Sequence, residues 1–119
     1  MYEARQKNTE IILPSDAVCG DPADLEHGGI VKSSDQVTRE DHILDIGPET
    51  QAKWGSIINS AKTIIWNGPV GYFENPQYRR GTDFIYYAVA HTEDAISVVG
   101  GGDTLAAISK KEYLENITH

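Results

Sequence analysis

Val98-Val99-Gly100-Gly101-Gly102-Asp103-Thr104 holds the residue types for anion chemistry: a β-branched run, three glycines, and an Asp-Thr pair opening an apolar, helix-like segment. This order reads as a strand, a phosphate-sized loop and a helix start. Glycine lets the backbone adopt positive φ and bring its N–H groups close to an anion, and a helix N-terminus adds unpaired donors and a favourable dipole. A carboxylate beside a polyphosphate repels it unless a cation stands between them. Mg²⁺ binds through one carboxylate plus substrate phosphates, so Asp103 is a metal candidate. Asp and Thr are also good N-cap residues, and the loop by itself leaves phosphate cradle and plain helix cap equally open.

A second loop runs from Asn67 to Glu74, directly after the strand-like Thr63-Ile64-Ile65-Trp66. In a parallel sheet both post-strand loops open on the carboxyl edge, where ligands bind. If the glycine loop holds phosphates, Asn67 can donate an amide hydrogen bond to them and Glu74 can accept from two ribose hydroxyls. Taken singly, Asn-Gly is a common turn dipeptide and Glu74 a solvated acid. Neither loop ends in the Gly-Lys-Ser/Thr of a P-loop, and the glycine spacing is not that of the dinucleotide fingerprint. With no lysine in either loop, phosphoryl transfer needs Mg²⁺ or cations from elsewhere.

The elements that must position these loops follow from periodicity. Glu10 to Pro14 reads as a short buried strand, Asp16 to Cys19 as a second extended piece, and residues 2 to 8 as the last turns of a helix. Residues 20 to 42 form a weakly structured connection in which only Ile30-Val31 is strand-like. Ile43 to Ile46 leads into a helix with Pro48 at its first position, whose stripe is Trp54, Ile57, Ile58 and Ala61. Phe84, Tyr87, Ala88 and His91, widened by Ile85 and Val89, predict a helix from about Arg79 to His91 that His91 closes. A strand over Ala95 to Val99 and a helix through Leu105 to Ile108 complete a strand, loop, helix alternation typical of a parallel sheet.

At 119 residues the chain is the size of one domain, and its ten Lys and Arg against eighteen Asp and Glu give a net charge of −8. Such a charge opposes nucleic acid and anionic membranes. Cys19 is the only cysteine, so there is no disulfide framework, and its apolar neighbours make it a packed thiol in a reducing, cytosolic setting. The polar start, Met1 to Lys7, reads as no signal peptide, and no run is long enough to span a bilayer. His27, His42, His91 and His119 lack metal-ligand spacing, and no serine stands in a nucleophile elbow.

Thr63 to Glu74 (TIIWNGPVGYFE) and Val99 to Thr104 (VGGGDT) closely resemble two signature segments of the phosphoglycerate kinase family. Leu44-Asp45-Ile46-Gly47-Pro48-Glu49 and Ile11-Ile12-Leu13-Pro14-Ser15-Asp16 are similar to two more, in the family's order. The resemblance implies an α/β fold with a Rossmann-like parallel sheet flanked by helices, residues 1–119 being a partial, C-terminal nucleotide-binding domain. It implies a Mg²⁺-dependent glycolytic kinase that moves a phosphoryl group between 1,3-bisphosphoglycerate and ADP, giving 3-phosphoglycerate and ATP. By the family pattern Gly101, Gly102, Asp103 and Thr104 line the nucleotide phosphates, with Asp103 on the metal. Asn67 approaches the phosphates, Pro69 and Val70 wall the base and ribose, and Glu74 binds the ribose hydroxyls. Ile43 departs: the family often has glycine or another small residue there, close to the nucleotide pocket.

The resemblance covers only the later part of that domain. It leaves outside the chain the basic residues that hold phosphoglycerate, the lysine-bearing early segment of the nucleotide domain, and a further glycine-rich loop. The expectation is a chain that carries part of an ADP/ATP site, contains no catalytic group of its own and is inactive alone. Ile117-Thr118-His119 looks like the start of a strand cut off, and an uncovered sheet edge favours self-association. The alternative is a non-catalytic nucleotide-binding or interaction module.

Overall fold

The structure is a computed structural model that describes residues 9–102 and residue 104. The helix tail at 2–8, Asp103, the helix through Leu105 to Ile108 and the strand start at Ile117 lie outside the described residues. Strands β1 (Asp16–Cys19), β2 (Ile30–Ser33) and β3 (Ile43–Ile46) precede helix α1 (Pro48–Ser60). Strand β4 (Thr63–Asn67), helix α2 (Arg80–Ala90) and strand β5 (Ile96–Gly100) follow.

The parallel pairing expected of the second half is present: β4 and β5 run parallel, in register from Thr63↔Ile96 to Asn67↔Gly100, with α2 in the connection between them. The first three strands instead form a separate antiparallel sheet in the order β2-β1-β3. Antiparallel neighbours need no crossover α-helix, and the stretches between β1, β2 and β3 hold no α-helix, only a short 3-10 turn at Ser34–Gln36. Glu10 to Pro14 is not a strand. Ile11 and Leu13 are exposed, and the segment is held by side chains: Lys53 Nζ donates to the Leu13 carbonyl at 3.1 Å and Ser34 Oγ to that of Pro14 at 2.7 Å.

Helix α1 starts as Pro48 dictates, but its N-cap residue, Gly47, has no side chain to offer. Asp16 of β1 takes that role from a distance. Its Oδ2 accepts from Glu49 N–H at 3.0 Å and its Oδ1 from Thr50 N–H at 2.9 Å, while the Thr50 hydroxyl also donates to it. A Cβ at Gly47 would overlap the Asp16 carboxylate, so glycine is what lets strand and helix meet. The buried core is Ile46, Ile64, Trp66, Ile85, Tyr86 and Val89, with Trp54, Ile58, Ala61 and Val70 packed against it.

Two faces differ from expectation. Ile57 is exposed at the rim of an open apolar groove that Trp54, Ile58, Ile65 and Val70 also line. On α2 the burial is centred on Ile85, Tyr86 and Val89, while Tyr87 is 50% exposed and stacks on the His91 ring with centroids 4.0 Å apart. Tyrosine serves a core or a wet surface equally well, so helical spacing does not separate Tyr86 from Tyr87. His91 closes α2 as expected, its N–H donating to the Tyr87 carbonyl at 3.0 Å.

Candidate functional site

Asn67 and Gly100, paired across the sheet, end β4 and β5 together, so their loops leave the same edge. Each loop turns at a glycine in the left-handed region, Gly68 at φ +101° and Gly101 at φ +92°, a conformation that L side chains rarely adopt. Gly68 N–H donates to Thr104 Oγ1 at 2.6 Å, and Thr104 is wholly buried. The Asn67 side chain lies along the glycine loop: a Cβ at Gly101 would fall 2.8 Å from Asn67 Oδ1. Trp66, anchored in the core, donates from Nε1 to the Gly68 carbonyl at 2.8 Å and so fixes the turn from beneath. Gly101 and Gly102 themselves are exposed.

The structure thus brings Asn67, Gly101 and Thr104 together. Pro69 and Val70 follow, both half-buried, and Val70 packs against the core. Glu74 stands farther along the same loop, exposed. Ile43 and Val70 line one apolar hollow with Leu13, Pro14, Val37 and Trp54. The metal role expected of Asp103 falls outside the described residues, among which no group of three or more His, Cys, Asp or Glu could hold a metal ion. The groups beside the glycine loop, the Asn67 amide and the buried Thr104 hydroxyl that accepts from Gly68 N–H, carry hard oxygens and no thiol, surroundings compatible with Mg²⁺ rather than a thiophilic metal.

Three residues that spacing did not single out shape the loop. Asn75 is buried: its Nδ2 donates to the carbonyls of Asp24 at 2.8 Å and Pro22 at 3.2 Å, and its Oδ1 accepts from Gln77 N–H at 2.9 Å. The Asn75-Pro76 pair was the available signal, since Asn before Pro marks a helix start. Tyr78 is buried, and its hydroxyl donates to the Asp21 carbonyl at 3.4 Å. Asp45, on β3, accepts from Gly81 N–H at 2.9 Å and Ile46 N–H at 2.8 Å. Burial pushes its carboxyl up to about 6 against those two bonds, with Asp83 raising it further and Arg80 lowering it.

The sequence profile described as phosphoglycerate kinase matches residues 1–119. Among curated proteins, the phosphoglycerate kinases of Legionella pneumophila strains Paris and Corby are each 45% identical over 116 residues, which is 98% of this chain and 29% of theirs. Among solved structures, phosphoglycerate kinase from Coxiella burnetii superposes with a TM-score of 0.90 at 38% identity, over 98% of this chain and 30% of that one. The enzyme from Pyrococcus horikoshii OT3 gives 0.73 at 31% identity, over 89% and 26%. The chain therefore spans under a third of the length of these relatives.

Proposed function

The chain belongs to the phosphoglycerate kinase family, and from that premise we propose that its two post-strand loops form part of an ADP/ATP site. The observation that carries this reading is the joining of the loops, with Gly68 N–H on the Thr104 hydroxyl and the Asn67 oxygen against Gly101. Gly101 and Gly102 offer backbone N–H groups to phosphate oxygens. Because Asn67 turns Oδ1 toward Gly101, its Nδ2 is the atom left to donate to phosphate. Pro69 and Val70 wall the base and ribose, with Ile43 in the same hollow as Val70, and Glu74 accepts from the ribose hydroxyls. Mg²⁺, when bound, offsets phosphate charge, and Asp103 is the residue that would hold it.

In the full-length enzyme this site serves Mg²⁺-dependent phosphoryl transfer between 1,3-bisphosphoglycerate and ADP, in glycolysis and in the cytoplasm. The 119-residue chain binds nucleotide and does not catalyse, since the cations that hold phosphoglycerate belong to other parts of that enzyme. Titration calorimetry with Mg-ADP tests the site. Heat of binding in the low-millimolar range or tighter that Asp103→Ala abolishes supports it; no binding, or binding indifferent to that substitution, contradicts it.

Association is a second reading, favoured by the outward side chains of the β4–β5 pair. Ile65 is 77% exposed and Ile96 55%. Light scattering should show a mass that rises with concentration, and a monomer at every concentration removes this reading.

A further inference from the structure

The carboxylate of Asp45 makes none of the nucleotide contacts proposed above, yet it lies against the loop that carries them. It is 3% exposed, and its two oxygens are divided between two backbone donors, Ile46 N–H on Oδ1 and Gly81 N–H on Oδ2. Gly71 and Gly81 press on it so closely that a Cβ on Gly71 would fall 2.6 Å from Oδ1 and one on Gly81 would overlap it. The preceding residue adds a third tie, since the Leu44 carbonyl accepts from Tyr72 N–H at 2.7 Å. Leu44 and Asp45 of β3 therefore hold the segment 71–81 where it enters, at Gly71 and Tyr72, and where it leaves, at Gly81.

Resting on the nucleotide reading of that loop, we propose that Asp45 is a positioning residue: by accepting from Gly81 N–H and packing against Gly71, beside the Leu44 carbonyl that holds Tyr72 N–H, it sets Val70 and Glu74 against the nucleotide, which it does not touch. An apolar residue there would leave the Gly81 N–H without its acceptor. Protonation converts one acceptor oxygen into a hydroxyl, but it also removes a buried charge, and the raised carboxyl shows that the second effect outweighs the first. The charged groups bearing on it are Asp83 and Arg80, both on α2. With the carboxyl raised to about 6 by burial, the pin changes state within the range in which the protein can be studied folded.

Backbone amide exchange of the 119-residue chain, with rates corrected for their intrinsic pH dependence, reads the pin directly. At about pH 5, where the neutral carboxyl is no longer a buried charge, the Tyr72 and Gly81 amides, which open with the segment, should gain up to about tenfold in protection over about pH 7, more than the amides of α1 do. Asp45→Asn should show no such difference between the two pH values and, because its NH2 group faces one of the two backbone donors, bind Mg-ADP several-fold more weakly than the unsubstituted chain at about pH 7. Its affinity should then vary with pH only as far as the nucleotide's own phosphate titration requires. Unchanged protection across the two pH values, or Asp45→Asn binding Mg-ADP as tightly as the unsubstituted chain, overturns the proposal. Should Mg-ADP bind to neither protein while the exchange response is present, the nucleotide reading has failed and the pinning of the segment stands. The exchange measurement on the unsubstituted chain decides the pinning even if Asp45→Asn does not fold.

Discussion

Two buried aspartates, Asp16 and Asp45, are pushed in opposite directions by the same ingredients. At Asp16 burial raises the carboxyl, but hydrogen bonds from the Thr50 side chain, Thr50 N–H and Glu49 N–H, with Lys53 nearby, bring it below its ordinary value of 3.8. At Asp45 burial wins over Gly81 and Ile46 and the carboxyl rises to about 6. The folded state thus binds the Asp45 proton more tightly than the unfolded chain does. Stability should fall as pH rises from 3.8 to about 6 and then level off. For Asp16 the sign reverses: its contribution is present above 3.8 and is lost as pH falls through the lowered folded value. Denaturant unfolding across this range should show an Asp45 decline on the order of 2–3 kcal/mol that Asp45→Asn lacks. A decline of equal size in that variant would contradict the assignment. Spacing exposed neither role, because Asp16 and Asp45 look the same in a sequence: each faces two backbone N–H groups, and what tells them apart is the Thr50 hydroxyl and Lys53 beside Asp16.

At the scale of elements, the edge formed by β4 and β5 was legible because each strand runs straight into a glycine turn, at Asn67-Gly68 and at Gly100-Gly101. The antiparallel sheet was not, since its strands have four residues each and their pairing depends on partners far along the chain. Glu10 to Pro14 has the composition of a strand, but its carbonyls at Leu13 and Pro14 are taken by side chains instead of a ladder. The packing of α1 on α2 turns on Gly55, which no periodicity marks. A Cβ there would fall 2.7 Å from the Phe84 ring, and Gly55 is buried. Gly55→Val should therefore destabilise the chain by about 2 kcal/mol through overpacking, outweighing the backbone entropy it recovers. A thermal midpoint equal to or above that of the unsubstituted chain would show that the two helices can part there at no cost.

The whole molecule spans under a third of the relatives it matches, yet superposes on one of them with a TM-score of 0.90. Its described core is small and lies between the two helices and one face of β4–β5, while Ile65 and Ile96 face outward. The family was readable from two motifs that sit in the loops at the sheet edge, where the backbone conformation at Gly68 and Gly101 restricts the residue types. In the proposed site these two loops act as one nucleotide-phosphate cradle. The most direct measurement is an amide NMR titration of the ¹⁵N-labelled chain with Mg-ADP. Gly68, Gly101, Gly102 and Asn67 should shift together along a single binding curve; binding that moves resonances elsewhere and leaves these four in place would contradict the account.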